Sequence, residues 1–117
     1  MTRYTGGCQC GAVRYEVECS LDQPVTCNCS RCSRLGWIMC FASMEDFSLR
    51  SGADRLSVYT FNREIVRHQF CSVCGIEPFA RGVPPGRDEE MIAVNVRCLD
   101  GIDLDRLEPR KVDGKSL

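Results

Sequence analysis

The sequence is poor in histidine and tryptophan, with one of each, His68 and Trp37, in 117 residues. A single histidine restricts any Ser-His-Asp hydrolase arrangement to His68. Neither a G-x-S-x-G elbow nor a phosphate loop is present. A surplus of one charge is also missing: 15 Lys and Arg stand against 16 Asp and Glu, a net charge of -1. With no basic run, a nucleic-acid footprint is not expected. No apolar run is long enough for a transmembrane helix, so no membrane partner is expected. The opening MTRYTGGCQCG lacks a secretory hydrophobic region, which points to a cytoplasmic location. There is no repeat, low-complexity stretch or linker, and the length suits a single domain over 1–117 with a modest core.

Cysteine, by contrast, is abundant, with ten residues. In a secreted chain this would indicate a disulfide scaffold. In a reducing compartment, clustered thiols read as metal ligands. Seven lie in three clusters: Cys8-Gln9-Cys10, Cys27-Asn28-Cys29-Ser30-Arg31-Cys32, and Cys71-Ser72-Val73-Cys74 followed by Gly75.

The remaining pattern is that of short strands. In Ala12–Cys19, Val13, Tyr15, Val17 and Cys19 share one face, and Arg14, Glu16 and Glu18 the other, the period-two signature of a half-buried strand. Ile92, Val94, Val96 and Cys98 alternate in the same way. Trp37–Ala42 reads as a central strand, and Phe47–Arg50, Leu56–Phe61 and Ile65–Phe70 complete the set. Turns are expected at Ser51-Gly52, Asn62 and Pro84-Pro85-Gly86. Helix signals are weak: one turn after Ser43 and one over Asp103–Leu107, closed by Pro109. The expectation is a mainly β, antiparallel fold of about seven strands, pinned by metal rather than by a large core.

Structural zinc takes four ligands in a tetrahedron. Seven thiols cannot fill two such sites, but four and three use them all. The middle cluster supplies three sulfurs from one loop, Cys27, Cys29 and Cys32. The flanking pairs, Cys8, Cys10, Cys71 and Cys74, then make a closed site that ties the first strand to one about sixty residues later. Gly75 suits a positive φ after such a turn. The three-cysteine site is either open or completed by a fourth ligand such as Cys40 or His68. Cys19 and Cys98 read as small buried hydrophobes on apolar strand faces. His68 alternates with Val66 and Phe70 and reads as a packed core residue. Trp37 reads the same way. Arg31, Arg34, Arg63 and Arg67 flank the clusters and offer guanidinium groups for carboxylates, or to offset the charge of the thiolates.

Taken together, Gly6-Gly7-Cys8-Gln9-Cys10-Gly11-Ala12-Val13-Arg14-Tyr15-Glu16, Cys27 to Cys32, and Phe70-Cys71-Ser72-Val73-Cys74-Gly75 resemble the three ordered motifs of the glutathione-dependent formaldehyde-activating enzyme family, which includes centromere-protein-V-like proteins. The resemblance continues through Val94–Gly101 and Asp113-Gly114. It implies an Mss4-like β-fold with a structural zinc on Cys8, Cys10, Cys71 and Cys74. It also implies a catalytic zinc on Cys27, Cys29 and Cys32 whose fourth position takes a thiol. The implied activity is that of a carbon–sulfur lyase, read in reverse as addition of glutathione to formaldehyde. A rival expectation is a zinc-stabilised Mss4-like binding module without catalysis.

Overall fold

The computed structural model describes residues 1–61, 66–84 and 86–116. The expected turn at Asn62, the side chain of Arg63, the first residue of the strand begun at Ile65, and Pro85 lie outside the described residues. Ten strands are described: β1 (Thr2–Gly7), β2 (Arg14–Cys19), β3 (Val25–Cys27), β4 (Met39–Ser43), β5 (Phe47–Ser51), β6 (Leu56–Tyr59), β7 (Val66–Cys71), β8 (Phe79–Gly82), β9 (Met91–Asn95) and β10 (Arg110–Val112). One α-helix, α1 (Ser30–Leu35), lies between β3 and β4. No helix is long and apolar enough to cross a membrane.

The strands form a three-stranded sheet, β1-β2-β5, and a seven-stranded sheet, β10-β3-β4-β9-β8-β7-β6. All described pairings are antiparallel except β10 with β3, which is parallel. The second sheet is therefore mixed, within the mainly antiparallel fold that was expected. The parallel pair exists because the chain's end returns to run beside β3, where Asn28 holds it (below).

Period-two alternation decides what each face does. On β2, Tyr15, Val17 and Cys19 are buried while Arg14, Glu16 and Glu18 are half-exposed. These buried side chains meet Cys40, Ala42, Phe79, Ile92 and Val94 from the larger sheet in one core. Tyr15 and Phe79 meet edge-to-face at 5.8 Å, and Phe47 lies 4.8 Å from Phe79, within the range of favourable aromatic pairs. The intervening residues Met39, Ala80 and Ala93 belong to a second, smaller cluster with Val25, Cys32, Trp37 and Val112. The larger sheet is thus covered on both faces, with α1 over the second.

The strands expected from alternation are all present, with ends shifted by a few residues. The main departure is at Asn95. Its side chain accepts from Arg97 N and starts a 3₁₀ turn over Val96–Cys98, so Cys98 leaves the strand face that sequence alternation assigns to it. The expected turn after Ser43 is a 3₁₀ turn over Met44–Asp46. The other is 3₁₀ over Leu104–Arg106, started by Asp103, whose side chain accepts from Asp105 N. Four strands were not expected, namely β1, β3, β8 and β10. Helix α1 was not expected either, since its serine and arginine content gives no apolar stripe.

Candidate metal centres and the adjoining cleft

The structure divides the seven clustered thiols as the spacing suggests. Cys8, Cys10, Cys71 and Cys74 form one group, and Cys27, Cys29 and Cys32 another, with the sulfurs in each group all within 4.8 Å of one another. Among the described residues, no fourth histidine, cysteine or carboxylate joins the second group.

The four-cysteine group grows from two turns. Cys8 and Cys10 follow β1, where Cys8 N donates to Val13 O at 3.1 Å and Val13 N donates back to the Cys8 sulfur at 3.3 Å. Cys71 ends β7. Its carbonyl accepts from Gly75 N at 2.8 Å, and its sulfur from Val73 N at 3.4 Å. Gly75 adopts φ 81°, the left-handed conformation expected of it. Cys8–Cys10 and Cys10–Cys71 Sγ distances are both 3.7 Å. A tetrahedron with zinc–sulfur bonds of about 2.3 Å has edges of about 3.8 Å. The sulfur spacing therefore fits zinc.

The thiol acidities fit a cation as well. Burial pushes Cys74 upward, but N–H groups of Ile76 and Cys10 and the neighbouring thiols outweigh it and bring Cys74 down to about 6. Cys10 instead moves up to about 11: the Ala12 N–H favours its thiolate, but burial and the thiols of Cys8, Cys71 and Cys74 together prevail. Four thiolates at this spacing would repel one another, a repulsion that a bound cation relieves.

The three-cysteine group is built on β3 and α1. Cys27 ends β3. Cys29 is the N-cap of α1, extended at φ -62° and ψ 165°, and its sulfur accepts from Cys32 N at 3.3 Å. Cys32 lies one turn into the helix, which ends at Gly36 with Gly36 N donating to Cys32 O. The C-x-C-x-x-C spacing thus folds as strand end, cap and first turn, bringing three sulfurs to one side. Burial raises Cys29 less than its N–H and thiol partners lower it, so its acidity is increased. Burial raises Cys32, with the Trp37 indole N–H acting in the opposite direction. That N–H is buried and falls short of hydrogen-bond geometry to any acceptor.

The chain's end closes over this group. Asn28 Nδ2 donates to Asp113 Oδ1 at 2.8 Å, Lys115 N donates to Asn28 Oδ1 at 3.0 Å, and Asn28 N donates to Val112 O at 3.2 Å. A Cβ on Gly114 would come within 2.3 Å of the Cys27 sulfur, so only glycine lets the segment pass there. Beside the group lies a cleft of about 380 Å³ lined by Cys27, Cys32, Ser33, Trp37 and Arg97, among others.

The other sequence candidates are placed elsewhere. Cys40 is buried in the main core, its sulfur 3.2 Å from that of Cys19, and is not part of the three-cysteine group. Cys19 is buried as expected. Cys98 is only half-buried, and burial together with the nearby Cys8 and Cys74 sulfurs pushes it up to about 12. His68 is buried and spoken for: its Nδ1 lies 2.7 Å from Glu77 Oε2. The same carboxylate accepts from Arg31 Nη2 at 2.6 Å, and Arg31 lies over the Tyr59 ring at 4.7 Å. Arg34 donates to Ser30 O, and Arg67 pairs with Glu90. Arg31 is therefore paired with a carboxylate, whereas Arg34 is bonded only to a backbone carbonyl and keeps its charge on α1. Trp37 is buried but also lines the cleft. Sequence reading assigned no role to Glu77, Asn28, Gly114 or Arg97, although Asn28, Arg97 and Gly114 lie within the segments that carry the family resemblance.

Residues 3–113 match the family described as glutathione-dependent formaldehyde-activating enzyme. The chain belongs to this family. It is also similar to the crystal structure of a protein from Rhodobacter sphaeroides, at 33% identity and a TM-score of 0.82, over 92% of this chain and 99% of that one. The family's description names glutathione and formaldehyde, and the two cysteine groups fit metal ions.

Proposed function

We propose that the chain is a single-domain zinc protein over 1–117, Mss4-like in fold, acting in the cytoplasm as a carbon–sulfur lyase on thiol–aldehyde adducts. In this reading Cys8, Cys10, Cys71 and Cys74 hold a structural zinc. Cys27, Cys29 and Cys32 hold a second, weaker one with its fourth position open to a small thiol. The observation that carries this is a three-thiol group beside a cleft, with no fourth side-chain ligand among the described residues. Structural zinc sites are closed by four protein ligands, whereas catalytic sites keep one position free.

A zinc ion there supplies the charge that keeps a substrate sulfur ionised at neutral pH. The chain's own residues do the rest. Helix α1 and the Asn28 clamp hold the three sulfurs in place, and Trp37, Ile38 and Pro109 give the cleft apolar walls. In addition, a bond forms between the thiol sulfur and the aldehyde carbon. The carbonyl π electrons move to oxygen, which takes up one proton, while the thiol has given up one. Breakdown reverses these changes, and nothing is oxidised or reduced. Glutathione and formaldehyde are the first pair to test because the family description carries them.

Exchange spectroscopy of a thiol, an aldehyde and their adduct at equilibrium tests this reading, with the uncatalysed rate subtracted. Zinc-loaded protein should accelerate exchange, and folded Cys29→Ser should not. An unchanged rate for glutathione and several other thiols, with the second zinc shown to be bound, rejects the enzyme and leaves the zinc-stabilised binding module. Acceleration with another thiol alone rejects only glutathione.

A further inference from the structure

Three thiolates and one zinc ion carry a net charge of about -1 by counting, so an anionic thiol approaches an already anionic group. Of the arginines that flank the cysteines in sequence, Arg31 is paired with Glu77 and Arg67 with Glu90, Arg34 is bonded to Ser30 O on α1 and does not line the cleft, and Arg63 lies outside the described residues.

The cleft wall contains a different arginine. Arg97 stands on the 3₁₀ turn after β9, and it is the one charged side chain among the described residues lining the cleft with Cys27 and Cys32. Its Nε donates to Gly36 O at 3.0 Å, and its backbone N donates to Asn95 Oδ1 at 3.1 Å. The guanidinium is thus anchored through one edge to the end of α1. Its ion-pair partners among the described residues are none. Tying down Nε leaves the two Nη groups, which form the other edge of the fork, to receive a planar anion.

We propose that Arg97 is the anion anchor of the cleft and selects thiols that carry a carboxylate. This rests on the open three-cysteine reading above and extends it from the sulfur to the rest of the substrate. Arg97 is a binding residue, not a ligand or a base. A guanidinium–carboxylate pair is charge-assisted and directional, so it orients a substrate that the metal holds through sulfur alone. It also explains how an anionic centre attracts an anionic substrate.

Calorimetric titration of the zinc-loaded full chain with 3-mercaptopropionate and 3-mercaptopropanamide tests the proposal, since the two differ only in the charged group. The wild-type protein should bind the carboxylate about tenfold more tightly. Arg97→Gln should abolish the preference while leaving affinity for the amide unchanged, and Arg97→Lys should keep part of it. Equal affinities in the wild type, or an undiminished preference in Arg97→Gln, would overturn the anchor. A third probe, 3-(methylthio)propionate, separates this from the open-metal reading, because it has the carboxylate but no thiol. It should shift the Arg97 Nε–H resonance. If it does so while neither thiol binds more tightly than this thioether, the anchor stands and the open metal position does not. If both thiols bind tightly without regard to charge, the reverse holds. If no probe binds, both fail.

Discussion

The two cysteine groups draw on the same residue type but sit in different surroundings. The four-cysteine group is part of the main core: Cys8 and Cys71 are buried in it, and Cys74 packs against it. It joins the end of β1 to the end of β7, and hence the two sheets. The three-cysteine group lies on the other face of the larger sheet, against a small cluster of Val25, Trp37, Met39 and Ala80. All its sulfurs come from six consecutive residues. Metal in the first group therefore closes a long loop, whereas metal in the second closes almost none. The entropic gain from closure grows with loop length, so the first group should govern folding and the second chemistry.

The largest effect should come from cutting into the first group. Cys74→Ser should cost more than about 4 kcal/mol and unfold much of the chain, because structural zinc binding energy is folding energy. Cys29→Ser should leave the fold largely intact. Thermal unfolding of the two variants makes the comparison, and equal losses would mean that both groups are structural.

Next is the contact through which the regions meet. Glu77 follows the Cys71–Cys74 turn, and its fully buried carboxylate reaches both His68 and Arg31, the latter on α1 between Cys29 and Cys32. Glu77→Gln removes the charge but keeps the shape. It should cost about 2–4 kcal/mol in urea unfolding, since it leaves a partly buried guanidinium without its counter-charge. It should also weaken metal binding at the three-cysteine group. Lost stability with that affinity unchanged would mean that Glu77 serves the core alone.

The smallest effect is expected at the surface. Asp100 accepts from Arg14 and, at 2.7 Å, from Thr5 Oγ1. The hydrogen bond from Arg14, then that from Thr5, holds its carboxyl below its ordinary value. A depressed folded value means that the stabilisation is fully present above the unfolded value of about 3.9 and is lost as pH falls through the folded one. Both side chains are well exposed, so Asp100→Asn should cost less than about 1 kcal/mol at neutral pH. The difference from wild type should vanish in acid, and one that persists there would assign the cost to something other than charge.

Much of this was legible in the sequence for a physical reason. A strand buried on one face must alternate, so β2 announces itself. Metal ligands must come in close spacings, so the division of seven thiols into four and three is visible before any fold is known. Strands β3 and β10 are each only three residues long, and two of the three in β10 are charged, so neither gives a pattern to read. Helix α1 owes its place to the Cys29 cap and its anchoring on β3, not to propensity. The role of Arg97 was not readable, although it lies in the Val94–Gly101 segment, because Gly36, to which it bonds, is 61 residues away in sequence. Of the arginines adjacent to the cysteines in sequence, Arg31 and Arg67 are paired with the carboxylates of Glu77 and Glu90.

The central claim, that one group is a four-thiol staple and the other a three-thiol working site, is tested most directly by counting metal during graded chelation of reduced protein. Two zinc ions per chain should be bound at saturation. A mild chelator should remove one, from Cys27, Cys29 and Cys32, while the other stays and the circular dichroism of the fold is unchanged. Loss of both ions at the same chelator strength, or a single ion at saturation, would contradict the account.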